Sequence, residues 1–268
     1  MNNAMIFQDH HWDTLAPVMI SLLGSFKLTL YDKLAPISNG SKFESLLVCL
    51  ALDQQRCVSR SQLLEQLWPA SDLALAGQSL NSLIYQLNKL TKQFSKPINL
   101  INHEGGYYSL NRSENVGIDI DYFDAWRAEG ACLFDQGEDE RGIVYYERAL
   151  ALYQGDLSGD ESNIQTVIER ERLRAAFLDL LASLADSAYS HDNPTKALSY
   201  IHRLLRHEPC REDAHRLAMC CYVHLGNRSQ ALRQYQFCCQ LLAAEFDAKP
   251  EAATETLFDQ IRLDPASI

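Results

Sequence analysis

No stretch of this sequence stays apolar for the roughly 20 residues a membrane-crossing helix requires, so no membrane partner is expected. The first 17 residues lack the basic start and apolar centre of a secretory signal. That predicts a cytoplasmic protein with a loose leader over residues 1–17. Proline and glycine are scarce, 8 and 12 among 268 residues, and hydrophobic residues make up 47%. Such a composition excludes a largely disordered chain and leaves enough apolar surface for two cored domains. The eight cysteines include no Cys-x-x-Cys pair, and a chain of this length needs no disulfide staples. Signatures of catalysis are missing as well. There is no Gly-x-x-x-x-Gly-Lys-Ser/Thr phosphate loop, no Gly-x-Ser-x-Gly elbow and no His-Glu-x-x-His pair. The reading is therefore of a protein that is not an enzyme and needs no cofactor.

Positive charge is also short, with a formal net charge of −11. The deficit is uneven. Residues 20–115 hold 9 lysines and arginines against 7 acidic residues, whereas residues 116–268 hold 15 against 26. A polyanion could approach only the front half, and with modest attraction.

What the front half does contain is a patterned helix followed by a hairpin. In the stretch Ala76–Phe94, Leu80, Leu83, Ile84, Leu87 and Leu90 recur at steps of three and four, which makes one apolar stripe. The opposite face carries Gln78, Ser79, Asn81, Ser82, Tyr85, Gln86 and Lys89, groups able to bond base edges or phosphates. Ile98–Leu110 then reads as two strands joined at a tip where Gly105 or Gly106 supplies positive φ. His103 lies beside that tip. Upstream, Ile20–Leu30 alternates as one strand, the segment 31–40 supplies turns and short edge strands, and Lys42–Leu52 reads as a buried helix. Ser59 with Gln62 fits a capping box, opening a helix that Pro69 ends. Three helices and a hairpin in this order make a winged helix-turn-helix over 18–113, a layout that points to DNA. Trp68 and Tyr107 are assigned to its core.

The back half, 117–264, reads as all helical and repetitive. Setting Gly226, Ala231 and Tyr235 at positions 15, 20 and 24 of a 34-residue unit places Ala197 and Pro209 at positions 20 and 32 of the unit before. An earlier unit starts at Phe123, with Trp126, Gly130, Leu133, Tyr146 and Ala149 at positions 4, 8, 11, 24 and 27. This is the tetratricopeptide pattern, in which small residues sit where paired helices cross. Its first two units start 55 residues apart, leaving room for an extra helical segment, Ile164–Leu184. There the run from Glu169 to Arg174 fits a solvent-facing helix with intrahelical pairs.

Taken in order, several motifs resemble one family. They are Arg60–Pro69, Ser79–Leu90, Gly105–Tyr107, Ala149–Leu157, Glu169–Leu173, Glu208–Arg216 and Gly226–Tyr235. From Ile20 onward, about nine tenths of the chain resembles the antibiotic-regulatory (SARP) proteins. These join a winged helix of the OmpR/PhoB type to a bacterial transcriptional activation domain. The resemblance implies that the front domain reads promoter DNA and the rear one mediates dimer or RNA polymerase contacts. It also suggests tandem direct repeats as the target, and because one weakly basic copy makes few phosphate contacts, cooperative dimerisation on them is expected. One departure stands out, because the family's reading helix is rich in arginine. Here Asn81, Gln86 and Asn88 stand in its place, and only Lys89 and Lys92 are basic. Fewer phosphate contacts mean weaker binding at cellular salt unless a partner compensates.

The expected function is thus a DNA-binding transcriptional regulator, an activator that contacts RNA polymerase. The expected DNA-contacting residues are Gln78, Ser79, Asn81, Ser82, Tyr85, Gln86, Lys89, His103, Gly105 and Gly106. The alternative is a protein-interaction adaptor whose winged helix no longer binds DNA by itself. The doublets Cys220-Cys221 and Cys238-Cys239 fall on consecutive helices. Neighbours on a helix point about 100° apart, so neither doublet aims two thiols at one ion. No metal is expected.

Overall fold

The computed structural model describes residues 14–38, 40–53, 57–92, 94, 98–112, 116–159 and 163–264. Most of the expected leader therefore lies outside the described residues. The chain divides into two compact units, one ending at Arg174 and one beginning at Ala175.

The first unit opens on strands β1 (Val18–Ser21), β2 (Lys27–Leu30) and β3 (Lys33–Leu34). One strand was expected across Ile20–Leu30, and the structure corrects this to two antiparallel ones, pairing Val18 with Leu30 and Ser21 with Lys27. The break comes at Gly24, whose φ of +113° suits glycine. Its N–H donates to the Asp156 carbonyl at 3.1 Å, and a Cβ there would stand 3.2 Å from Gln154. A distant segment thus claims the residues that would have continued the strand.

Helix α1 (Lys42–Leu52) has the expected bounds, and Ser41 caps it. After the two-residue β4 (Val58–Ser59), helix α2 (Arg60–Leu67) begins with the expected capping box between Ser59 and Gln62. Helix α3 (Leu73–Thr91) starts a turn earlier than the apolar stripe alone suggested. The reason is Asp72, whose carboxylate accepts the N–H groups of Ala74 and Leu75 at 2.8 and 3.3 Å. Strands β5 (Ile101–Glu104) and β6 (Tyr107–Leu110) form the hairpin, and β4 pairs with β6 to make a three-stranded sheet. The chain then returns through β7 (Val116–Ile118), parallel to β1, and completes a four-stranded sheet in the order β3-β2-β1-β7. Leu46, Leu47, Leu63, Leu67, Leu80 and Leu87 fill the core between the helices. This is a winged helix.

Helices α4 (Asp119–Asp135) and α5 (Asp139–Leu152) follow in the same unit. They cross where the repeat pattern put its small residues. A Cβ on Gly130 would stand 2.3 Å from the edge of the Tyr146 ring, and one on Gly142 would stand 2.9 Å from Phe134. Helix α6 (Ile164–Ser190) begins where the extra segment was expected and carries the charged run. That run does more than face solvent. Arg172 donates to Asp124 on α4 at 2.7 Å as well as to Glu169 on its own helix. Arg170 donates to the carbonyls of Leu157 and Gly159 at 3.0 and 3.2 Å.

The second unit continues with α7 (Pro194–His207), α8 (Glu212–His224), α9 (Arg228–Phe246) and α10 (Ala252–Leu263). Helix α8 begins where the repeat register starts a unit, Gly226 turns the chain at φ +73°, and Ala231 is fully buried. Ala197 is likewise fully buried on α7. The architecture is a tetratricopeptide-like stack.

Candidate nucleic-acid interface

Helix α3 has period 3.6, so burying Leu80, Leu83 and Leu87 turns the residues between them outward. Gln78, Ser79, Asn81, Ser82, Tyr85, Gln86 and Lys89 are all exposed, and Tyr85 is the barest of the aromatics there at 69%. No acidic residue occurs from Leu73 to Thr91. A neutral, hydrogen-bonding face with a cation near its C-terminal end is what remains. Asn88 does not belong to it, because its Oδ1 is shielded from solvent. Within the face, Ser79 returns its hydroxyl to the Leu75 carbonyl at 2.9 Å, and Gln86 Nε2 lies 3.3 Å from Ser82 Oγ. A groove of about 410 Å³ runs along this side, lined by Lys42, Trp68, Gln78, Ser79, Ser82 and Gln86 among others. The Lys42 ammonium lies over the Trp68 ring and donates to the Leu67 carbonyl. Trp68 is therefore half-buried at the rim of the groove rather than in the core.

The wing tip has both glycines at positive φ, +58° for Gly105 and +84° for Gly106. That sign at both central residues is the mark of the two-residue turn that joins twisted strands. His103 is exposed on β5 and stacks on Tyr108, ring centres 4.2 Å apart. Tyr107 was assigned to the core, and the structure corrects this. Its side of β6 faces solvent, leaving it 53% exposed, while Tyr108 on the alternate face is buried.

A residue not singled out from the sequence joins helix and wing. The Arg60 guanidinium donates to Asn81 Oδ1 at 3.1 Å, to the Tyr108 hydroxyl at 2.8 Å and to the Gly77 carbonyl at 3.0 Å. Its backbone N–H donates to the Gly106 carbonyl at 3.1 Å. Glycine inside a helix costs about 1 kcal/mol relative to alanine, so Gly77 was the signal that something approaches closely there. A Cβ at Gly77 would stand 3.0 Å from the guanidinium.

Elsewhere, burial pushes the Cys221 and Cys238 thiols up to about 12, so both stay protonated near neutral pH. Among the described residues, no group of three or more His, Cys, Asp or Glu side chains is placed to hold a metal ion. No described helix is long and apolar enough to cross a membrane.

Downstream of this interface, residues 118–262 match the model of the bacterial transcriptional activator domain, over more than half the chain. The chain belongs to that family. Its relatives include the transcriptional regulatory protein MoaR1 of Mycobacterium bovis and of Mycobacterium tuberculosis. Each is 24% identical over 250 residues, covering 92% of this chain and 80% of the relative. The structure of Mycobacterium tuberculosis EmbR, in complex with a low-affinity phosphopeptide, superposes with a TM-score of 0.72. At 20% identity it covers 94% of this chain and 68% of its own, so the fold is shared. A winged helix followed by this activator domain is the SARP arrangement, and the chain is a SARP-type transcriptional regulator.

Proposed function

We propose that this regulator binds promoter DNA sequence-specifically through α3 and the wing, and activates by contact with RNA polymerase. The observation that carries the reading is the exposed polar face of α3, free of acidic residues and tied by Arg60 to the adjoining hairpin. In this reading 18–113 is the DNA-reading domain and 117–264 the activation domain. Helix α3 enters the major groove with Gln78, Asn81, Tyr85, Gln86 and Lys89 toward the bases, and Ser79 and Ser82 toward phosphates. His103, Gly105 and Gly106 follow the adjacent minor groove. The reading assigns no catalytic step and a cytoplasmic location. Footprinting on a promoter selected from genomic DNA tests it. Asn81→Ala with Gln86→Ala should weaken specific binding at least tenfold, since each good side-chain–base pair is worth about 1–3 kcal/mol. An unchanged footprint for the double variant would refute the assignment.

A second reading has its own support. Leu73 and Leu75 are 73% and 63% exposed at the start of α3, and the helix carries one basic residue, Lys89. An apolar, weakly charged end of this kind suits a protein partner, as in an adaptor that reaches DNA only in company. Specific binding by the purified chain alone at physiological salt would decide against it.

A further inference from the structure

We propose that Arg60 fixes the hydrogen-bonding polarity of Asn81, so that this position of α3 selects a keto base, guanine or thymine. The inference rests on the DNA reading proposed above and adds to it a base preference at one position.

A guanidinium carries five N–H donors and no acceptor. The atom of Asn81 that meets it at 3.1 Å is therefore the amide oxygen. An asparagine amide without fixed partners can turn either its oxygen or its NH2 outward, and a donor-only partner removes that freedom here. Arg60 is itself pinned from three other directions. Tyr108 and Gly77 accept from its guanidinium, and Gly106 accepts from its backbone N–H. Tyr108 is only 3% exposed, so the anchor is rigid. Oδ1 of Asn81 is thereby held toward α2 and β6, and the group left for the groove is the NH2.

An unconstrained asparagine reads adenine with both amide atoms. Its oxygen accepts from N6 while its nitrogen donates to N7. With Oδ1 drawn toward Arg60, the carboxamide turns its oxygen away from the bases and presents its NH2 to them first. Guanine offers two acceptors in the major groove, O6 and N7, and thymine offers O4. Cytosine presents a donor, and adenine sets its N6 donors beside the N7 acceptor, so an outward NH2 that reaches N7 meets like polarity at N6. The constraint is particular to this residue. Gln86 lies against the Ser82 hydroxyl at 3.3 Å, and a hydroxyl can donate or accept, so the Gln86 amide remains reversible.

The test is selection of duplexes from a randomised pool by the purified full chain at fixed salt, with melting of each variant measured alongside. The position whose preference disappears in Asn81→Ala is the one Asn81 reads. There, the unaltered chain should favour guanine or thymine over adenine or cytosine by about tenfold. Asn81→Asp keeps an acceptor for Arg60 and turns an oxygen outward in place of the NH2, so it should invert that position to adenine or cytosine. Arg60→Lys, still donor-only, should retain the keto preference, whereas Arg60→Met should move it toward adenine. Because Asn81→Asp preserves the Arg60 contact, it decides the matter even if Arg60→Met fails to fold. Adenine selected at that position by the unaltered chain, or an unchanged preference in Asn81→Asp, would overturn the inference. Failure of the unaltered chain to select any duplex would end the DNA reading itself, and the inference with it.

Discussion

Asp119 is 2% exposed at the junction of β7 and α4, where its carboxylate accepts the N–H groups of Leu22 and Leu23 at 2.7 and 2.8 Å and that of Ile120 at 2.9 Å. Burial pushes the carboxyl up from its usual value to about 7, against the pull of those donors. The folded chain therefore holds a proton that the unfolded chain has released between about pH 4 and pH 7. Over that window this group's contribution to stability falls as pH rises, and it is lost above the folded value. Relative to Asp119→Asn, which cannot titrate, the unaltered chain should lose stability from about pH 4 to pH 7 and level off beyond, as read by denaturant titration across pH. At the helix crossing, Gly130→Ala should destabilise. Displacing the Tyr146 ring costs about 1–3 kcal/mol, and better helix propensity returns up to about 1 kcal/mol. A lowered melting temperature would show it.

Among the elements, α3 was legible in the sequence because its stripe of leucines is long and regular, so its outward face followed from period alone. The wing was legible from its paired glycines. Both sit at positive φ with open space around them, so the turn depends on backbone conformation and not on packing. Gly106→Val should cost about 1–2 kcal/mol through the left-handed conformation a branched side chain resists. Specific DNA affinity should fall with it, because the Gly106 carbonyl also holds the Arg60 backbone. Melting and duplex titration on the same variant check both effects. The single strand expected over Ile20–Leu30 divides because, although alternation continues on both sides of Gly24, hydrogen bonds with residues 154–158 fold the chain there.

At the scale of the whole molecule, the front half is barely basic and the back half acidic, so under the proposed reading one copy on one site would make few phosphate contacts. Two copies on adjacent direct repeats would combine their binding through effective concentration. Titration against one-repeat and two-repeat duplexes should show cooperative binding on the second, with free protein monomeric or weakly dimeric. Equal affinity per site on both duplexes, at every salt concentration, would exclude that.

The sequence by itself determined the winged helix, the tetratricopeptide-like stack and the outward face of α3. Each depends on periodicity, capping or a conformational demand that neighbouring residues carry. Only the tertiary structure decided that Arg60 reaches Asn81 across 21 positions, that Tyr107 faces out while Tyr108 faces in, and that Arg172 bridges to Asp124. Those facts are pairings between elements, and they arise from how helices and strands approach one another. No local pattern in a chain records that approach, except where a glycine such as Gly77 marks the space left for it.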